Sequence, residues 1–342
     1  MNLLDYSLDE FFMRRCLQLA ASGLGCVQPN PMVGAVIVHQ NKIIGEGWHQ
    51  KYGQPHAEVN AIRSVKEQQL LPESTLYVNL EPCSHFGKTP PCADLIIENK
   101  IPKVVIACAD PNKKVSGKGI QKLLEAKVEV VQNVLLSDAI KLNKRFFTYH
   151  ILKRPYIVLK WAETADGFID LERNGGTTET YWITNTTLRV LTHKMRNEEQ
   201  AILVGYNTYI NDKPQLTNRL YGTHQPQRFV SVSNKTDVSI NKDFTILPDS
   251  PKELLQKLYE MKIQSVVIEG GAKTLERFIE QSLWDEAIVL RGACCWNKGV
   301  RAPRLQGEVV GQKDILDNQM VFYRNADNQL YKHYCQYFDL AL

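Results

Sequence analysis

His56-Ala57-Glu58-Val59-Asn60-Ala61 and, further along, Glu81-Pro82-Cys83-Ser84-His85-Phe86-Gly87-Lys88-Thr89-Pro90-Pro91-Cys92 decide how the first half of this chain is read. One imidazole and two thiolates make three protein ligands for Zn2+, and a zinc that does chemistry keeps its fourth position open for water. Glu58 is a carboxylate two residues from the histidine, suited to moving protons beside the metal. Eight residues separate Cys83 from Cys92, where short zinc motifs have two, so the pair encloses a loop. Each cysteine follows a proline at what reads as a helix start, where the helix dipole favours a thiolate.

Outward from this stretch, helical and strand-like segments alternate. Leu8 to Ala21 has helical spacing, with acids early and Arg14-Arg15 later. Val33 to Val38 and Ile43 to Trp48 read as a hairpin around His39-Gln40-Asn41-Lys42. His56 to Val65 and Ala93 to Glu98 read as helices, and Thr75 to Leu80 and Val104 to Cys108 as short buried strands. The alternation implies a layered α/β domain. The basic and aromatic run Lys144 to Pro155 marks a boundary near Leu152, giving domains 1–151 and 152–342. Beyond it, strands are expected at Tyr156 to Lys160, Ala201 to Val204, Phe229 to Val232, Ser265 to Ile268 and Ala287 to Leu290. Helices are expected at Thr187 to Glu198, Pro251 to Met261 and Thr274 to Gln281. Met320 to Tyr337 reads as a closing hairpin turning at Asn325-Ala326-Asp327-Asn328.

A His-x-Glu with two downstream cysteines is the ligand and proton-shuttle set of zinc nucleobase deaminases. The whole stretch, with Pro29-Asn30-Pro31-Met32-Val33-Gly34 before it and Asp110-Pro111-Asn112 after, resembles the deaminase half of the bifunctional riboflavin biosynthesis deaminase/reductase family. The resemblance covers nearly the whole chain. It implies a cytidine-deaminase-like three-layer α/β/α domain with His56, Cys83 and Cys92 on zinc and Glu58 catalytic. Asn30, His49, Lys88, Asp110 and Asn112 are then substrate contacts. A structural zinc would want a fourth protein ligand, for which Cys16, Cys26, Cys108 and His85 are available; the built-in Glu58 weighs against it. By themselves, Lys88 reads as a solvated side chain and Asn30 as a turn residue between prolines, and Cys16, Cys26 and Cys108 as core packing.

The second half has no Gly-x-Gly-x-x-Gly after a strand, so a Rossmann dinucleotide site is not indicated. Lys160-Trp161-Ala162 with Asp166-Gly167, Tyr181-Trp182-Ile183-Thr184, the run Gly205 to Arg219 and Val267-Ile268-Glu269-Gly270-Gly271-Ala272 resemble the dihydrofolate-reductase-like α/β domain of the same family. Glu269-Gly270-Gly271 between a strand and a helix lets backbone approach a phosphate at a helix start, although alone it is an ordinary turn. The resemblance implies that Ala162, Trp182, Thr208, Asp212, Ser233, Gly271, Ala272, Lys273 and Thr274 line an NADPH site. It assigns Thr180, Arg196, Leu216, Arg219 and Glu269 to the substrate. Arg196 and Arg219 suit its phosphate, since guanidinium forks bind phosphate bidentately.

Composition sets the remaining bounds. The 342 residues suffice for two domains, with 44% hydrophobic residues for their cores and 23% charged. A net charge of +4 is far from the basic stripe of a nucleic-acid binder. Eight dispersed cysteines do not form a disulfide framework. Met1 to Tyr6 has neither a basic start nor an apolar run, and no stretch reaches the roughly 20 apolar residues of a membrane helix. These features imply a cytoplasmic protein with no nucleic acid or membrane partner; the resemblance implies an enzyme acting on a phosphorylated ribosylaminopyrimidine, with homo-oligomerisation left open. Two rivals remain at this point: a nucleoside or tRNA deaminase with an unrelated appendage, disfavoured by the long inter-cysteine loop and the modest charge, and a zinc scaffold, disfavoured by Glu58.

Overall fold

The structure, a computed structural model, describes residues 7–84, 90–112, 116–172, 181–233 and 239–340. It divides into two compact units: one runs to Leu152 and resumes at Leu330, and the other spans Lys153–Gln329.

The first unit begins with α1 (Leu8–Ala21), whose start is fixed by a capping box between Ser7 and Glu10. There follow β1 (Gly34–His39), β2 (Lys42–Trp48), α2 (Ala57–Ser64), β3 (Thr75–Val78), α3 (Cys92–Glu98), β4 (Lys103–Ile106), α4 (Lys118–Glu125), β5 (Glu129–Val131), α5 (Leu136–Leu142) and α6 (Lys144–Leu152). The strands form one sheet in the order β2-β1-β3-β4-β5, with β3, β4 and β5 parallel. Side chains alternate across it, as the period of two demands. Val36, Val38, Tyr77 and Val105 pack towards Phe12, Met13, Ala139 and Phe147, whereas Ile37, Leu76, Val104 and Ile106 pack towards Ala61, Ile96 and Leu123. That is the expected three-layer α/β/α arrangement. Gly47 allows α2 to lie against β2, because a Cβ there would strike the backbone of Ala57 and Ala61.

The second unit comprises β6 (Tyr156–Glu163), β7 (Phe168–Asp170), α7 (Thr186–Glu198), β8 (Ala201–Gly205), α8 (Tyr206–Asp212), β9 (Gln227–Val232), β10 (Thr245–Pro248), α9 (Pro251–Glu260), β11 (Ser265–Ile268), α10 (Ala272–Glu280), β12 (Glu286–Arg291), β13 (Val300–Arg301), β14 (Glu308–Ile315) and β15 (Asn318–Arg324). Its main sheet has eight strands in the order β10-β9-β8-β11-β6-β12-β15-β14. The strands from β10 to β12 are parallel, and β15 and β14 close the edge antiparallel. Strands β6, β8 and β11 are apolar almost throughout, as parallel strands covered on both faces must be. Asp285 ties the two ends of the unit together. Its carboxylate accepts two 2.7 Å bonds from the Arg154 guanidinium and a further bond from the Asn328 amide.

The closing hairpin expected at Met320 to Tyr337 is not what forms. β15 pairs with β14 through a turn at Leu316-Asp317, and the chain then enters α11 (Leu330–Tyr337), which belongs to the first unit. The reason is helical spacing: Leu330, Tyr334 and Phe338 recur every four residues and join the core beside Phe147. The Tyr334 ring lies 5.3 Å from that of Phe147 and 4.7 Å from that of Phe338. The expected second domain therefore loses its last segment to the first unit.

Candidate active sites

In the first unit, β3 and β4 run parallel, and the segments leaving their carboxyl ends carry Cys83 and Asp110–Asn112, the edge where open α/β sheets bind ligands. His56 is the N-cap of α2, Glu58 lies in that helix's first turn, and Cys92 opens α3. Cys83 differs from expectation: it sits in the loop after β3, not at a helix start, and its sulfur instead accepts the Cys92 backbone N–H at 3.3 Å. His56 Nδ1 stands 3.5 Å from Cys83 Sγ and 3.4 Å from Cys92 Sγ, and the three donor atoms all lie within 4.8 Å of one another. Zinc bonds of about 2.0–2.3 Å in tetrahedral geometry separate their ligands by similar distances, so these residues fit the ion. Among the described residues this is the one such cluster of three.

The electrostatics favour one thiolate, at Cys83, whereas the hydrogen bond to Cys83 and burial raise the Cys92 thiol. A hydrogen bond from Cys92 and the nearby His56 bring the Cys83 thiol down to about 4 against the cost of burial. The hydrogen bond to Cys83 lifts His56 to about 9. Burial raises the Glu58 carboxyl, which is only 3% exposed, making it a better proton acceptor than an ordinary glutamate. His49 is buried and held neutral by desolvation. Its Nδ1 lies 3.1 Å from the Pro55 carbonyl, so that nitrogen carries the proton and Nε2 accepts from the Asn30 amide at 3.1 Å. His49 thus orients Asn30. Lys88 lies outside the described residues.

Glu81 was not singled out from sequence. It is 3% exposed, and its carboxylate accepts backbone N–H groups from Asp110, Gly117, Gly119 and Ile120 at 3.2, 3.0, 2.9 and 3.4 Å. It thereby fixes the Pro82-Cys83 turn to the start of α4, where Gly119 is needed because a Cβ would strike the Pro82 carbonyl. Its position directly before Pro82-Cys83 was the available signal.

In the second unit, two adjoining clefts of about 430 and 410 Å³ share Asp170, Thr208, Asp212 and Gly271. The second is lined by the starts of α8 and α10, whose N-caps, Gly205 and Gly271, place no side chain over the helix ends. Gly271 N–H donates to Thr208 Oγ1 at 2.9 Å, and a Cβ on Gly271 would fill that space. Bare helix N-termini beside a glycine pair fit the phosphates of a dinucleotide. Ser233, Ala272, Lys273 and Thr274 line this cleft. Ala162, Trp182, Leu216, Arg219 and Glu269 line the other, where Trp182 is capped by the Arg189 guanidinium 3.9 Å above its ring. Thr180 lies outside the described residues.

Arg196 lines the same cleft as Arg219, with its fork paired to a carboxylate. Its Nε and Nη2 donate to the two Glu269 oxygens at 3.0 and 2.7 Å, and Nη1 donates to the Thr217 carbonyl at 3.1 Å. A carboxylate buried beside it claims the guanidinium first, and exposed Arg219 is the arginine that remains for the cleft mouth. Burial alone would raise Glu269, but Lys160 and Arg196 outweigh it and hold the carboxyl at about 2. Lys160, missed as a site residue, has its Nζ 3.8 Å from Glu269, and burial lowers its pKa. The signal was a lysine inside the otherwise apolar strand Tyr156-Ile157-Val158-Leu159.

Together the two units define a class, a zinc deaminase joined in one chain to a dinucleotide-dependent reductase. Residues 6–108 match the family model of the cytidine and deoxycytidylate deaminase zinc-binding region, and residues 155–293 match the RibD C-terminal domain. Riboflavin biosynthesis protein RibD of Aquifex aeolicus is 38% identical over 339 residues, with 90% of each chain covered. That of Actinobacillus pleuropneumoniae is 38% identical over 87% of this chain and 85% of its own. The Thermotoga maritima diaminohydroxyphosphoribosylaminopyrimidine deaminase/5-amino-6-(5-phosphoribosylamino)uracil reductase superposes with a TM-score of 0.84 at 35% identity, covering 93% of this chain and 99% of that one. Acinetobacter baumannii RibD gives 0.84 at 31% identity, covering 93% and 98%. The chain belongs to the RibD family, with a zinc-binding deaminase domain and a reductase domain serving riboflavin biosynthesis. No helix among the described residues is long and apolar enough to cross a membrane.

Proposed function

We propose that the first unit deaminates 2,5-diamino-6-ribosylamino-4(3H)-pyrimidinone 5′-phosphate and that the second reduces the product, 5-amino-6-(5-phosphoribosylamino)uracil, to its ribitylamino form with NADPH. The observation that carries this reading is the His56–Cys83–Cys92 triangle with the buried Glu58 carboxylate beside it. His56, Cys83 and Cys92 would hold zinc, which would lower the pKa of a bound water towards neutrality. Glu58 would carry the water's first proton to the ring nitrogen and its second to the amine, which would then leave as ammonia as the ring carbon becomes a carbonyl. Asn30, held by His49, faces the base, and Asp110 and Asn112 face the ribosyl phosphate from the end of β4.

In the second unit NADPH supplies the hydride. Gly271 to Thr274 would hold its phosphates, and Ala162, Trp182, Thr208, Asp212 and Ser233 would surround it. Converting ribosyl to ribityl adds a hydride at C1′ and a proton at the former ring oxygen. Lys160, its ammonium made readier to release a proton by burial, is placed to give it, with Glu269 and Arg196 fixing its position. Arg219 meets the substrate phosphate, and Leu216 packs beside it. The protein works in the cytoplasm on these small molecules, without nucleic acid.

The test is Glu58→Gln. It should keep full zinc content and lose deamination by at least about 10²–10⁴-fold, the range for a general acid–base group. A zinc-loaded variant with normal deamination would refute the assignment.

A further inference from the structure

We infer that Tyr334 and Tyr337, on the helix that follows the reductase unit in sequence, are positioning residues of the deaminase site. The inference rests on the reading that Asp110 and Asn112 meet the substrate.

The segment that carries those two residues follows β4, and the Cys108 carbonyl at its start accepts Glu81 N–H at 2.9 Å. From Ala109 onward no strand pairs with it, and each residue is held by a separate group. Tyr334 Oη accepts Ala109 N–H at 2.8 Å and donates to the Ala109 carbonyl at 3.3 Å, so one hydroxyl satisfies both backbone groups of that residue. Asp110 N–H goes to Glu81, and the Pro111 carbonyl accepts from Tyr337 Oη at 3.2 Å. Asn112 N–H closes on Asp110 Oδ1 at 2.7 Å. Ring packing against Phe147 and Phe338 would be served equally by phenylalanine at 334. What the buried tyrosine adds is its hydroxyl, which needs partners when removed from water and finds both on the segment leading to Asp110.

Glu81 grips this segment from the zinc-ligand side, and α11 grips it from the opposite chain end. The tyrosines thus act on substrate placement through Asp110 and Asn112, without touching the metal ligands.

The experiment uses the full chain with Tyr334→Phe, Tyr337→Phe and the pair, alongside Tyr331→Phe, an exposed position on the same helix. Zinc content, unfolding midpoint, deaminase kcat and KM, and reduction of pre-deaminated substrate are measured for each. Loss of one such hydrogen bond should raise deaminase KM by about 2- to 10-fold, more in the pair. The kcat, zinc content and reductase rate should hold, the midpoint should fall by no more than the loss of those hydrogen bonds explains, and Tyr331→Phe should be silent. An unchanged KM in both single variants and the pair overturns the inference, as does a fall in kcat that tracks lost zinc or a lowered midpoint. Asp110→Asn separates the two readings: if it raises KM while the tyrosine variants do not, only the role of α11 fails. If it too leaves KM unchanged, the substrate contact itself is wrong.

Discussion

Replacing Glu269 by Gln removes one charge from a buried group of three and should cost the reductase unit about as much as its whole acid sensitivity from this site. The carboxyl stands at about 2 against an ordinary 4.5. At about 1.4 kcal/mol per pKa unit, that gap corresponds to about 3 kcal/mol. Geometry gives a similar figure: the Glu269 side chain is 9% exposed, and breaking a buried pair by removing one partner costs about 3–5 kcal/mol because Arg196 and Lys160 keep uncompensated charge. The sign follows from the depressed pKa. The stabilisation is complete above pH 4.5 and is lost as pH falls from 4.5 towards 2. Tryptophan fluorescence in a urea titration reads this unit, since Trp161, Trp182, Trp284 and Trp296 lie within it and only Trp48 lies outside. At pH 7 Glu269→Gln should be less stable than the parent by about 3 kcal/mol, and the difference should shrink towards zero near pH 2. A variant equally stable at pH 7, or a difference that stays constant down to pH 2, would show that the cluster is not the buried ion group described.

Two further outcomes test the sites directly. Cys83→Ser and Cys92→Ser should each lower zinc content by metal analysis and abolish deamination, while reduction of pre-deaminated substrate persists; full zinc occupancy in both would require different ligands. Arg219→Ala should weaken binding of the phosphorylated substrate by about 1.5–3 kcal/mol, as expected for hydrogen bonds to a charged group, and leave NADPH affinity unchanged in a separate titration. Collapse of NADPH binding instead would assign this arginine to the cofactor.

The parts of the fold that could be read from sequence were those where one local signal and the packing agree. Helical spacing with acids early marks α1, and the apolar run at Ser265 to Ile268 marks β11, a strand covered on both faces. β14 gave no signal because most of its residues face solvent on both sides, which erases the alternation of a half-buried strand. α11 was taken for a strand because its aromatic residues favour either structure, and only its distant partner Phe147 settles the period. The metal ligands were legible because their spacing is the chemistry itself. The pairing of Arg196 went unread and Lys160 was missed for one reason. A side chain's availability depends on which countercharge folding brings beside it, and Glu269 is 73 residues from Arg196 in the chain.

The return of the chain to the first unit at Leu330 sets an order of events during synthesis. Domains generally fold as they emerge, the earlier one first. Here 177 residues separate Leu152 from Leu330, so at about 5–20 residues per second the ribosome needs roughly 10–35 s between them. Through that interval the nascent deaminase sheet exposes the apolar surface that Tyr334, Cys335 and Phe338 later cover. The unit that begins first is completed last, and the reductase unit, its two ends already clasped by Asp285, is made whole in between.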